Sequence, residues 1–294
     1  MKLHADCIPC ILKVRLSEIL RKRLPREEAL RIMLKLVNEC SRMIANLGID
    51  NVTVLATRLF RIVKEELGDR DPYREVKEEA NRSGLRLYYE LKRRIESLSN
   101  DLRLERSLAI SLLGNSLDLG VAGYSPPSVN ELLNEVNSLK IEKGEHIEAL
   151  RELDGKLITY LLDNSGEAVL DRLLAEELRK RGARVIAVVK SEPFQNDITI
   201  SEVEDVKLRD SFDDVVETGT DASSIFLNEI SRDLSKLLRE SDLIVAKGMA
   251  HYEYLTDHER EIGKPVLYLL KAKCRPVSLS LNVPIGSYVS VLHR

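Results

Sequence analysis

The chain has 294 residues, enough for one large domain or two smaller ones with a substantial buried core. Its hydrophobic content of 44% is that of an ordinary globular protein, and no apolar run is long enough to span a bilayer. The net charge of −3 is positive over residues 1–100 and negative beyond, without the concentrated basic and aromatic clustering of a nucleic-acid binder. No signal-peptide pattern precedes Cys7, which points to the cytoplasm. The composition has 32% charged residues, no Trp and a single Gln, Gln195, a balance expected of a thermophile. Nothing in the sequence sets an oligomeric state.

The first hundred residues read as an all-helical N-terminal region. Leu12, Leu16, Ile19 and Leu20 recur at helical spacing, as do Ile32, Leu36 and Val37. Pro25 followed by Arg26-Glu27-Glu28 is a helix start with acids in its first turn. A third helical stretch covers about 53–67, and a fourth opens at Asp71-Pro72-Tyr73 and runs through Val76, Ala80, Leu87 and Leu91 to Ile95. Another begins near Asp101 and ends at the turn between Gly114 and Gly120. Pro126-Pro127 then breaks the chain, and residues 128–152 are expected to form a helical insertion of two short helices joined near Lys143-Gly144.

From Lys156 the pattern changes. Short apolar runs at Lys156–Asp163, Arg184–Lys190, Asp214–Gly219, Asp242–Lys247 and Pro265–Lys271 alternate with helical stretches, the first of them Leu170–Arg181. Such alternation predicts a parallel sheet with crossover helices, hence an α/β domain over residues 101–294. Ligands in these sheets bind beyond the carboxyl ends of the strands. Asp163, Lys190, Gly219, Lys247 and Lys271 all fall there.

Five segments carry candidate chemistry. In Leu161–Asp171, Asp163 and the Asn164 amide oxygen are hard donors suited to Mg²⁺ or Mn²⁺. The backbone amides of Ser165, Gly166 and Glu167 open a helix and are placed to hold a phosphate. The bland alternative is a capping box between Asn164 and Glu167. In Pro193–Thr199, Asn196 and Asp197 follow a neighbouring strand, so Asp197 is in reach of the same metal; alone the pair reads as a turn. In Gly114–Gly120, Asn115 and Asp118 share a face, and Asp118 is suited to proton transfer. Lys247 and Gly248 follow the strand Asp242–Lys247, where the lysine would neutralise a phosphate oxygen. Lys271 and Lys273 alternate around another strand end, so one of them faces the ligand. Cys7-Ile8-Pro9-Cys10 is a CxxC with His4 before it and Cys40 and Cys274 elsewhere. It is compatible with a disulfide, with a zinc or iron site completed by Cys274 or His4, or with buried thiols.

This set, with CIPC, GNSLD, DNSGE, a later ND, a KG motif and KC in order, resembles the family once catalogued as domain of unknown function 89, the metal-dependent damage-control phosphatases, and within it the prokaryotic, mostly archaeal, CxxC-containing branch. The resemblance implies a helical N-terminal region packed on a Rossmann-like three-layer α/β/α core with a mainly parallel sheet. It implies one divalent metal (Mg, Mn, Co or Ni) held by Asp163, Asn164 and Asp197, with Asn115 and Asp118 near substrate. The matching activity is hydrolysis of a small phosphorylated metabolite. Asp163 would act as nucleophile or as ligand, Asp118 in proton transfer, and Lys247 in stabilising the transition state. Ser165, Gly166, Glu167, Lys190 and Lys271 complete the expected substrate contacts. The chain departs from the family pattern at Ala250 and His251, where Gly and Asn are common, and at Ser165, where Ala is common. The rival readings are a carboxyl methyltransferase using S-adenosylmethionine, against which stands the lack of a glycine-rich loop after the first core strand, and a non-catalytic phosphometabolite- or metal-binding protein.

Overall fold

A computed structural model describes residues 1–46, 48–117, 135–136 and 138–294. Five helices come first: α1 (Cys7–Arg21), α2 (Arg26–Ala45), α3 (Val52–Leu67), α4 (Arg74–Ile95) and α5 (Asn100–Gly114). Then follow β1 (Ile141–Glu142), α6 (His146–Ala149), β2 (Leu157–Leu161), α7 (Glu167–Lys180), β3 (Arg184–Val189), β4 (Asp214–Glu217), α8 (Arg232–Glu240), β5 (Leu243–Lys247), α9 (Gly248–Leu255), α10 (Glu259–Ile262), β6 (Val266–Lys271), α11 (Arg275–Leu281) and β7 (Tyr288–His293). Among the described residues no helix is long and apolar enough to cross a membrane.

The seven strands form one sheet in the order β1-β7-β6-β5-β2-β3-β4. Every pairing is parallel except β6 with β7. The α/β class and the mainly parallel sheet are as expected. Alternating side chains divide the core into two layers, as period-two strands must. Tyr160, Val185, Ala187, Val245, Leu267 and Leu269 pack with α4, α5 and α7 on one face. Val188, Ile244, Ala246, Tyr268 and Leu270 pack with α8, α9 and α11 on the other. Helices α1–α3 build a third cluster from Ile19, Ile32, Leu36, Leu55, Leu59 and Val63.

Within the 128–152 insertion, expected to be helical, Ile141–Glu142 pair with Tyr288–Val289 as an edge strand, while Glu135 and His146–Ala149 are helical among the residues described there. The two-residue strand is too short to show alternation, and its pairing partner lies nearly 150 residues later in the chain, so no local signal marks it.

Two features of this architecture position the site. The chain goes from β2 outward to β3 and β4, then returns to place β5 on the other side of β2. The carboxyl ends of β2 and β5 therefore flank the switch point where open α/β sheets bind ligands. Helix α4 is also locked against the turn after β2. A Cβ on Gly84 would lie 2.7 Å from the Gly166 carbonyl oxygen, so only glycine allows this approach. One turn earlier on the same face, Asn81 Oδ1 accepts from the Gly166 N–H at 2.7 Å.

Candidate active site

The loop after β3 folds back to pair with the turn after β2. Asn164 and Asp197 form an antiparallel bridge, Ser165 N–H donates to Asn196 O (2.8 Å), and Ile198 N–H donates to Asp163 O (2.9 Å). Asn196 Nδ2 adds a bond to Asn164 Oδ1 (2.8 Å). These contacts bring the expected trio together: Asp163, Asn164 and Asp197 line one cavity of 370 Å³. Strand register brings the fourth element in. Leu161 pairs with Ala246, so two residues on Asp163 faces Gly248. The missing side chain of Gly248 is filled by the Asp163 carboxylate, whose Oδ2 lies 1.8 Å from where a Cβ would stand.

Beneath this trio lies a fully buried polar network. Asn115 Nδ2 donates to Asp163 Oδ2 (3.1 Å) and to Glu167 Oε2 (3.0 Å), while its Oδ1 accepts from the Lys271 backbone N–H (3.0 Å). Asn164 Nδ2 bridges the same two carboxylates, at 2.9 and 2.8 Å. Lys247 Nζ sits between Glu167 (2.9 Å) and Asp171 (2.7 Å) and also donates to Ser111 O and Oγ. Tyr160 OH and Ser111 Oγ donate to Asp171 Oδ1. Burial pushes the Asp171 carboxyl up to about 6, opposed by Lys247. Burial also disfavours charge on Lys247, but Asp171 and Glu167 outweigh it and hold the lysine above its usual value.

Several of the expected substrate contacts hold protein partners here. The Ser165 and Gly166 N–H groups are committed to Asn196 and Asn81, and Ser165 Oγ donates to Glu202 (3.1 Å). Two of the three amides expected to hold a phosphate are therefore taken, and Gly166, not Asn164, is the cap residue of the helix. Glu167 and Lys247 are fully buried and bonded to each other, away from the cavity lining. Their place is under the site, where they fix its geometry. Lys190 lies beside Asp197 (3.5 Å) and donates to Ala222 O (2.6 Å); burial pushes it below the usual lysine range against the pull of Asp197 and Asp163. Lys271 Nζ donates to Tyr288 OH (3.1 Å) and Ser116 Oγ (3.3 Å). Lys273, two residues on and beyond the end of β6, is the one that lines the cavity, so strand alternation does not separate the two lysines. Asp118 lies outside the described residues.

Sequence reasoning missed Asp171, Ser111, Tyr160, Asn81 and Glu202. Asp171 alone had a local signal, one turn beyond Glu167 on the same helix face. His251, the departure from the family pattern, is structural: its ring contacts Ser224 Oγ (3.0 Å) and Leu162 O (3.3 Å), and burial, aided by Lys190, pushes it down to about 3. The four cysteines are free, and Cys7, Cys10 and Cys274 line the cavity together with Glu253. Burial pushes Cys7 up to about 11 and Cys274 up to about 12, so both are thiols at neutral pH.

Among the described residues no three His, Cys, Asp or Glu side chains gather as a metal-binding group. The donor set at the cavity floor is different, two carboxylates and one amide oxygen, with a second lone pair on Asn164 Oδ1 beside its bond to Asn196. Its charge also fits a cation. The buried carboxylates of Asp163, Asp197, Glu167 and Asp171 lie with the buried ammonium groups of Lys190 and Lys247, and Lys273 lines the same cavity. Carboxylates outnumber lysines in this group, and oxygen donors in a net negative setting suit a divalent ion.

The sequence matches the damage-control phosphatase ARMT1-like domain over residues 3–289. The chain belongs to this family. A damage-control phosphatase of Archaeoglobus fulgidus is 36% identical over 80% of this chain and 81% of its own length. One from Pyrococcus horikoshii is 27% identical over 82% and 81%. The crystal structure of a DUF89 family protein from Pyrococcus horikoshii covers all of both chains with a TM-score of 0.81 at 26% identity. Family membership accounts for the order of motifs from Cys7 to Cys274 and for the α/β/α core that carries them.

Proposed function

We propose that this chain is a metal-dependent phosphatase that hydrolyses a small phosphorylated metabolite. The observation that carries the reading is the meeting of Asp163, Asn164 and Asp197 in one cavity at the sheet's switch point. These three side chains would hold the divalent ion, which when bound supplies charge neutralisation for the phosphoryl group. Asn115 and Asn164 each donate to Asp163 Oδ2, which fixes the carboxylate's rotation. Glu167, clamped by Lys247, holds both amides in that orientation. Lys273 lines the cavity as a cation for a phosphate oxygen, the role expected of Lys247. Asp118 is assigned proton transfer on its sequence position. A cavity of 370 Å³ holds a phosphate with a small organic group and excludes a polymer.

The test is a panel of phosphomonoesters with Mg²⁺, Mn²⁺, Co²⁺ or Ni²⁺ added to chelator-treated protein. Hydrolysis that appears only with metal is expected. No release of phosphate with any of the four ions would sink the proposal.

A further inference from the structure

We infer that the phosphate ester turned over here carries an apolar, hydroxyl-poor body, seated against a wall that α1 and α3 give to the cavity. The inference rests on the phosphatase reading above and names the substrate class of that site.

The side chains lining the 370 Å³ cavity divide by the element that supplies them. The turn after β2 and the loop after β3 give the oxygen donors Asp163, Asn164 and Asp197. Helix α1 gives Cys7, Cys10 and Ile11, and α3 gives Val52 and Ala56, in each case residues three or four apart that share one helix face. Thiols in such a setting pack as small hydrophobes beside the aliphatic groups. Phe194, set edge-to-face on Phe60 with ring centroids 5.1 Å apart, and Met249 extend the apolar lining.

The polar groups of the wall are held by the protein. Thr53 Oγ1 donates to Asn51 Oδ1, and Ser223 Oγ donates to Thr53 O (3.3 Å) while accepting from Thr57 Oγ1 (3.1 Å). Gln195 turns its amide to the buried Glu18 carboxylate. Arg275 pairs with Asp6 (3.2 Å), and Glu253 is likewise engaged within the protein. A sugar or polyol ester would therefore give up water at its hydroxyls and find the hydroxyls of the wall already bonded. An alkyl body has no such cost and gains from each methylene it buries. With the phosphoryl group at the oxygen donors and Lys273, the rest of a small ester lies against this wall.

In the Mn²⁺-loaded protein, kcat/KM should climb along ethyl, propyl and butyl phosphate by about 4-fold per methylene, the value of one buried CH₂. Glycerol 3-phosphate, similar in size to butyl phosphate but carrying two hydroxyls, should fall at least about 10-fold below it. Met249→Gln and Val52→Thr keep the shape of the lining and make it polar, so each should flatten the series toward about 2-fold per methylene, with Mn²⁺ affinity unchanged. Equal efficiency along the series, or glycerol 3-phosphate as the better substrate, would overturn the inference. So would a steep series that both variants leave unchanged, because the body would then lie elsewhere. If the wild-type protein hydrolyses no phosphomonoester, the phosphatase reading fails first. Thermal stabilisation of the Mn²⁺-loaded protein by ethyl-, propyl- and butylphosphonate, whose carbon–phosphorus bond resists hydrolysis, then decides the inference. A rise with chain length supports the apolar wall, and no rise or no stabilisation overturns it.

Discussion

Gly248→Ala should lower kcat/KM by at least about 100-fold while leaving the chain folded, since displacing a reacting group by about 1 Å costs that much. Register explains the size of the effect. Strands β2 and β5 are neighbours, and the pairing of Leu161 with Ala246 sets Asp163 against Gly248. An alanine Cβ would stand 1.8 Å from Asp163 Oδ2 and 2.4 Å from its Cγ, far inside contact distance. The backbone at φ +77° also disfavours any side chain. Either the carboxylate leaves its bonds to Asn115 and Asn164, or β5 and α9 move apart. Stability should fall by only about 1–3 kcal/mol, the usual cost of a single strained position. Steady-state kinetics and urea unfolding on the same preparation separate the two effects. Full activity in a folded Gly248→Ala protein would contradict the placement of Asp163.

Lys247→Met should instead act on the fold, costing about 3–5 kcal/mol, because removing one partner of a buried ion pair strands the other. Here two carboxylates are stranded, Glu167 and Asp171, both fully buried and both bonded to the lysine. Combining Lys247→Met with Asp171→Asn should restore part of the loss, since one uncompensated charge is removed. The measurement is the urea midpoint of the three proteins. A single variant as stable as wild type would show that the lysine is not structural and would return it to the role of a phosphate contact.

Much of the fold was legible because the buried strands β2, β3, β5 and β6 are continuous apolar runs ending at polar residues. Strand β1 was not, since two residues carry no periodicity, and β7 escaped because its antiparallel pairing with β6 breaks the strand–helix rhythm that revealed the others. In the candidate site, Asp163, Asn164 and Asp197 stood out by type and by position after strands. The lysines stood out equally, but the side they face depends on strand parity. Lys247 shares a face with Val245, which packs under α7, and so meets Glu167 and Asp171. Lys271 shares a face with Leu269 and lies toward Asn115, whereas Lys273 lies beyond the end of β6, where parity no longer applies, and lines the cavity. Lys190 shares a face with Val188 and ends at Ala222 on the opposite layer. Parity of this kind is readable only once the strand pairing is known. Asn81 and Glu202 had no local signal, because they reach Gly166 and Ser165 from helices and loops far along the chain.

Titration of the chelator-treated protein with Mn²⁺, followed by electron paramagnetic resonance of the free ion, tests the central claim most directly. A single site is predicted in the wild type. Its affinity should fall in Asp163→Ala and in Asp197→Ala by more than the roughly 10–100-fold expected for loss of an outer-sphere partner. Unchanged Mn²⁺ binding in both variants would contradict the assignment of these residues as metal ligands.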